Sequence, residues 1–224
     1  MNDYGPSPPF VLRAVLVVTG LALWFLTQTL LRYRPDGSGV LGDGLHTLTA
    51  RLNAFLLAHP RWADGLLIVS ALGIDGLGCF VLGYSLFGPS IRPFVGLMML
   101  FLLRQVCQAL CALPPPKGMI WRSPGVPSLL VTYGTANDLF FSGHTSLAVY
   151  GSIELARWGG PGWAVVGVLI ALFEIGTVLV LRAHYTMDVF TGAVTAFAAA
   201  IVAVWIAPTC DHWLVELGKR IGLS

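Results

Sequence analysis

Six runs of mostly apolar residues govern what this chain can fold into: Phe10–Leu31, Ala63–Phe87, Pro93–Leu113, Phe141–Arg157, Gly162–Leu181 and Tyr185–Ala207. About 20 such residues cross a bilayer core as a helix. In that core every backbone N–H and C=O must be bonded within the segment, so each run is predicted to be helical. The expected fold is all-α: a polytopic membrane protein with six transmembrane helices, forming a single membrane-embedded domain over residues 1–224. Composition agrees, since 56% of residues are hydrophobic and only 11% charged, outside the range of soluble domains. The first run has only Arg13 as a candidate leading charge and ends in RYRPDGSG, which reads as an anchor and not as a cleaved signal.

Other classes drop out at this level. A net charge of +2 with no basic run argues against a nucleic-acid partner. Cys79, Cys107, Cys111 and Cys210 stand in or beside apolar runs without metal-ligand spacing, so neither a metal nor another cofactor is expected. Between the first two runs, GLHTLTARLNAFLLAHP spaces Leu45, Leu48, Leu52, Phe55 and Leu56 as one helical face, which suits a segment lying along the membrane interface. The long connection LPPPKGMIWRSPGVPSLLVTYGTAND is too rich in Pro and Gly to be one helix.

Two polar stretches interrupt this pattern, DLFFSGHT at 138–145 and RAHYTMDVF at 182–190. With six crossings, the connections after the first, third and fifth share one side. His144 opens the fourth run and His184 the sixth, so both belong to that side. His184 and Asp188 are i and i+4, one turn apart on a helix. A carboxylate on one imidazole nitrogen leaves the other free as nucleophile or base. His144 follows Ser142-Gly143 at an expected helix N-terminus, where exposed N–H groups favour a phosphate. Alone, an interfacial His is commonly a wetted surface residue and a His–Asp pair a local ion pair. Together on one face, they point to phosphoryl chemistry, one His attacking phosphorus and the other protonating the leaving oxygen.

SGHT followed by HYTMD resembles the type 2 phosphatidic acid phosphatase superfamily, specifically its lipid phosphotransferase branch of sphingomyelin synthases and plant phosphatidylcholine:diacylglycerol cholinephosphotransferases. As in sphingomyelin synthases, an Asp (Asp138) stands six residues before the SGHT histidine, and an Arg (Arg104) nine before an L-P-x-P at Leu113. LPPPKGMIW and HTLTARLNAFLLAHP are closer to the plant enzymes, and the similarity runs over about residues 45–195. The phosphatase pattern K-x6-R-P, P-S-G-H, S-R-x5-H-x3-D is only partly kept. Lys117 and Arg122-Ser123-Pro124 miss the first spacing, Phe141 replaces the Pro before Ser142, and Val178 replaces the third motif's Arg. Those cations would hold a doubly charged phosphate monoester, so their loss favours a singly charged phosphodiester.

The resemblance implies a mechanism and a substrate set. Asp188 orients His184, which attacks the phosphorus of a phospholipid headgroup. His144 protonates the departing diacylglycerol oxygen and later deprotonates a second lipid alcohol, diacylglycerol or ceramide, that discharges a phosphohistidine. Exclusion of water would favour transfer over hydrolysis. Arg104, Asp138, Ser142, Gly143, Arg182 and Tyr185 become candidates for substrate binding; Ser142 lacks the context of a serine nucleophile. Asp75 and Glu174 lie mid-run, where charge is costly. Either could counter the cation of a choline or ethanolamine headgroup, with Trp121, Tyr133 or Tyr185 giving an aromatic face. Basic residues nearly balance across the two sides, so the expectation of an extracytoplasmic or lumenal active face comes from the resemblance alone. A lipid phosphatase or phospholipase C-like hydrolase is the alternative, and a transporter using Asp75, Glu174 and Arg104 is a non-enzymatic one. Headgroup, acceptor and oligomeric state stay open.

Overall fold

The computed structural model describes residues 7–31, 41–131, 133 and 139–222. Among them the chain forms eight helices and no strand: α1 (Phe10–Leu31), α2 (Gly44–Leu48), α3 (Ala50–Ala58), α4 (Pro60–Phe87), α5 (Arg92–Leu110), α6 (Gly143–Gly159), α7 (Pro161–Val180) and α8 (Thr186–Arg220). Five of these, α1, α4, α5, α7 and α8, are long and apolar enough to cross a membrane. Their outer faces carry rows such as Val165, Leu169 and Leu172 on α7, and Phe190, Val194, Phe197 and Ile201 on α8, all exposed. Helical rows of that extent are foreign to a water-facing surface and suit lipid.

The expected fourth crossing behaves differently. α6 has 17 residues and rises about 26 Å, less than the ~30 Å core. It packs against α4, α5, α7 and α8, and eleven of its residues are buried. A helix walled by protein need not be apolar, which is why Ser146, Ser152 and Glu154 are accommodated inside. Small residues let its neighbours close in. A side chain at Gly96 of α5 would overlap the Tyr150 ring, and Ser152 Oγ lies 2.7 Å from the Gly167 carbonyl of α7. α1 joins the bundle by stacking Trp24 on Phe101, centroids 4.4 Å apart.

Several boundaries differ from the sequence reading. α4 begins at Pro60, a favoured first-turn proline, and not at Ala63. α5 stops at Leu110 with Cys111 extended, because Pro114, Pro115 and Pro116 cannot continue a helix. α8 does not end at Ala207 but runs through Pro208 to Arg220. One turn beyond that proline, Asp211 accepts from Ser90 Oγ (2.5 Å) and Ile91 N (2.9 Å), tying the extension to the α4–α5 turn. α2 and α3 are separated by Thr49 alone, and this segment presents Leu48, Leu52 and Phe55 outward, while His46, Asn53 and Leu56 are buried. Leu56, expected on the outward apolar face, turns inward instead and packs with Ala63 and Leu67.

Candidate active site

The short link between α7 and α8 holds His184. The chain leaves α7 through Arg182, in the left-handed region at φ 54°, and enters α8 one residue after Tyr185. His184 Nδ1 lies 2.9 Å from the Leu139 carbonyl. A carbonyl only accepts, so Nδ1 carries the proton and Nε2 keeps its lone pair. Asp188 is fully buried one turn into α8. Its Oδ2 accepts the Tyr185 N–H at 2.8 Å and lies 3.8 Å from His184 Nδ1, too far for a hydrogen bond. The task expected of Asp188 is therefore divided: the Leu139 carbonyl fixes the ring, and Asp188 adds nearby negative charge.

The turn that offers Leu139 also builds the first residues of α6. Phe141 is buried at φ 80°, a conformation outside the range open to proline. That turn aims Ser142 as the N-cap, its Oγ accepting the Thr145 N–H at 3.2 Å, and its own N–H reaches the Asp188 carbonyl at 3.1 Å. Gly143 follows with the Arg104 guanidinium across it; a Cβ there would come within 3.1 Å of Arg104 Nε. His144 then meets the edge of Trp121, centroids 5.1 Å apart at 84°.

His144, His184, Gly143 and Arg104 line one cleft. Its other walls include Trp24, Ile74, Phe101, Leu130 and Leu147, so two imidazoles and a guanidinium face a largely apolar space. Such a space suits a lipid whose headgroup reaches the polar end.

The remaining candidates have other partners. Ser142 is the helix cap described above. Tyr185 is buried, stacks on His46 (5.5 Å, 27°) and donates its hydroxyl to the Pro114 carbonyl at 2.9 Å. Arg182 bonds the carbonyls of Lys117 and His46. Asp75 accepts the N–H groups of Leu129 and Leu130 at 2.8 and 2.9 Å, holding the loop that forms part of the cleft wall. Glu174, fully buried, accepts from Ser70 Oγ at 2.6 Å. Burial first, then Asp75 and Glu174, push the Tyr133 phenol up to about 12. Tyr133 in turn packs on Trp121 at 4.9 Å, one layer behind the cleft. Asp138 lies outside the described residues. Among the described residues no three His, Cys, Asp or Glu side chains converge to hold a metal ion.

Three supporting residues escaped the sequence reading: Asp43, His46 and Asn53. Asp43 accepts from Thr186 N and Thr186 Oγ1, each at 2.6 Å, and from His46 N at 3.0 Å. Burial opposes its ionisation, but these bonds outweigh it and hold the carboxyl below the usual range. His46 Nε2 donates to the His184 carbonyl at 2.9 Å. Asn53 Nδ2 bonds the carbonyls of Gly118 and Val180 at 3.0 and 2.9 Å. Gly118 is at φ 81°, and a Cβ there would press on Asn53 and Arg182. Asp43, His46 and Asn53, at the start of and along the α2–α3 segment, thus grip the link carrying His184. The sequence signal was weak, because Thr47, Thr49, Arg51 and His59 share the same stretch.

No curated protein and no solved structure matches this chain. A family model described as AtPDCT1/2 matches residues 43–205, from Asp43 at the start of α2 to beyond Asp188 on α8. That span holds every residue of the cleft except those of α1. The chain belongs to the AtPDCT1/2 family, a family of phosphatidylcholine:diacylglycerol cholinephosphotransferase-like enzymes of lipid metabolism.

Proposed function

We propose that this protein transfers a phosphocholine headgroup, or a phosphoethanolamine one, from a phospholipid to diacylglycerol through a phosphohistidine on His184. The observation that carries this is the 2.9 Å bond from His184 Nδ1 to the Leu139 carbonyl. It leaves Nε2 unprotonated and bordering the cleft that His144 also lines. In the first half-reaction an Nε2–P bond forms as the P–O bond to the donor's glycerol breaks, and His144 gives that oxygen its proton. In the second, His144 takes the proton of the acceptor alcohol, a new O–P bond forms, and the N–P bond breaks. Arg104 offsets the charge that grows on the phosphoryl oxygens. Asp188 supports the positive charge that His184 gains on attack.

The same reading makes this a phosphotransferase related to the type 2 phosphatidic acid phosphatases. α6 is its enclosed sixth crossing, and the cleft opens on the extracytoplasmic or lumenal face. The headgroup ammonium would rest near the Trp121–Tyr133 pair, with Asp75 and Glu174 behind it. Apolar cleft walls favour a lipid alcohol over water as the acceptor.

The test uses purified protein in detergent micelles with headgroup-labelled phosphatidylcholine, with and without short-chain diacylglycerol or ceramide. The expected result is label in a new lipid only when diacylglycerol is present, and none with His184→Ala. Preferential use of ceramide would reassign the acceptor. Label released to water without any acceptor would make the protein a hydrolase and overturn the proposal.

A further inference from the structure

A second cavity, of about 370 Å³, opens at the end of the bundle away from the catalytic cleft. It is framed by Tyr84 at the end of α4, Ser90 and Arg92 at the start of α5, Arg157 at the end of α6, and Val204 and Pro208 on α8. Val204 to Pro208 stand about 27–33 Å along α8 from Thr186, at about 1.5 Å per residue. That distance is one bilayer core away from His184, so the cavity sits at the opposite interface.

Its chemistry is cationic. Glu154, with no exposed surface, lies between two guanidiniums, 2.8 Å from Arg92 Nη2 and 2.7 Å from Arg157 Nη1. One arginine would neutralise it; the second leaves a positive charge over. The nearby ionised groups do not cancel that excess. Asp211 is engaged by Ser90 and Ile91, and Arg13, which feels its charge, is itself bonded to the carbonyls of Pro8 and Gly88. Three arginines thus meet two carboxylates. Arg157 also donates Nη2 to the Ala200 carbonyl at 3.1 Å, yet keeps 30% of its side chain exposed and lines the cavity.

Pro208 adds a complementary group. It has no N–H, so the Val204 carbonyl lacks its ordinary i+4 donor. A carbonyl short of that donor, in the same lining as Arg92 and Arg157, fits an anion that also carries a hydroxyl or ammonium donor. Trp205 and Phe87, among the most exposed side chains of the protein at 73% and 77%, give the surroundings an apolar, lipid-facing surface. We propose that this cavity binds the phosphodiester headgroup of a phospholipid in the leaflet opposite the catalytic one, as a resident lipid distinct from the substrate.

The test is native mass spectrometry of the full chain in micelles, titrated with dioctanoyl phosphatidylglycerol, sn-glycerol 3-phosphate or inorganic phosphate. The wild type is expected to retain the lipid saturably and the two soluble phosphates far more weakly. Arg157→Gln should weaken lipid retention about tenfold, and Arg157→Lys should restore most of it. Headgroup transfer between short-chain lipids should be unchanged in both. Val204→Trp, which blocks the cavity without touching Glu154 or its arginines, should lower retention as well and decides the matter if Arg157→Gln does not fold. Equal retention in wild type and both Arg157→Gln and Val204→Trp would overturn the proposal. So would soluble phosphates binding as tightly as the lipid.

Discussion

At the scale of single residues, the two histidines should separate by the leaving group they face. His144→Ala removes a proton donor, a loss of about 10²–10⁴-fold on a lipid donor whose glycerol oxygen departs as a poor leaving group. On p-nitrophenyl phosphocholine the departing phenolate needs no proton, so His144→Ala should release nitrophenol at near the wild-type rate during a single turnover. His184→Ala should release none from either donor, and only the wild type and His144→Ala should trap labelled phosphohistidine. Equal loss of both variants on the activated donor would remove His184 from its role as nucleophile. Asp188→Asn tests a subtler point. Asparagine can still accept the Tyr185 N–H, so the helix start survives while the charge 3.8 Å from His184 is lost. Turnover should fall about tenfold, near 1.4 kcal/mol in the barrier, with thermal stability close to wild type. Phe141 shows how a motif departure acquires a physical cause. At φ 80° a proline is excluded, so the SGH sequence is aimed here by a turn unlike that of any P-S-G-H motif. Phe141→Pro should abolish transfer and lower the unfolding temperature, measured on the same preparation.

At the scale of elements, the α2–α3 segment carries the largest gap between sequence and structure. Its apolar stripe was legible from spacing for Leu45, Leu48, Leu52 and Phe55, which face outward, but not for Leu56, which is buried. The task of its polar face was not, because its partners lie far along the chain: Gly118 is 65 residues from Asn53, and His184 is 138 from His46. Periodicity reports which face is apolar and is silent on what the other face touches. Asp43→Ala should release Thr186 and His46 together, costing about 1–3 kcal/mol and lowering kcat more than it raises KM. The pH dependence of this clamp follows from the direction of the Asp43 shift. A carboxyl held below its unfolded value stabilises fully above that value and loses the contribution as pH falls through its folded one. Wild-type resistance to proteolysis at the α2–α3 segment should therefore be flat from neutral pH down to about pH 5 and decline only in stronger acid. In Asp43→Asn it should be low throughout. An apolar count does not report how many sides of α6 are walled by protein, nor that Asp211 ties α8 down past Pro208.

At the scale of the whole molecule, the meeting of His144 and His184 in one cleft was legible because both stand in short motifs at helix starts, which topology alone brings to one face. The rest of the cleft was not, since its apolar walls come from α1, α4, α5, α6 and two loops. On the proposed mechanism those walls would decide between transfer and hydrolysis. The two histidines would serve water as readily as a lipid alcohol, so selectivity must lie in what can reach Nε2 once it carries phosphorus. Leu130 forms part of the wall on a loop whose backbone is pinned by Asp75, so its side chain can change without the loop losing its anchor. Leu130→Ser should admit water while leaving both histidines and Arg104 in place. The expected outcome is little change in the rate of phosphatidylcholine consumption. The ratio of label in new lipid to label in water should fall about tenfold, corresponding to roughly 1.4 kcal/mol of discrimination between the two acceptors. An unchanged ratio would shift the source of selectivity from the dryness of the cleft to specific recognition of the acceptor alcohol. In that case Arg104, which lines the same cleft as His184, would be the next residue to vary.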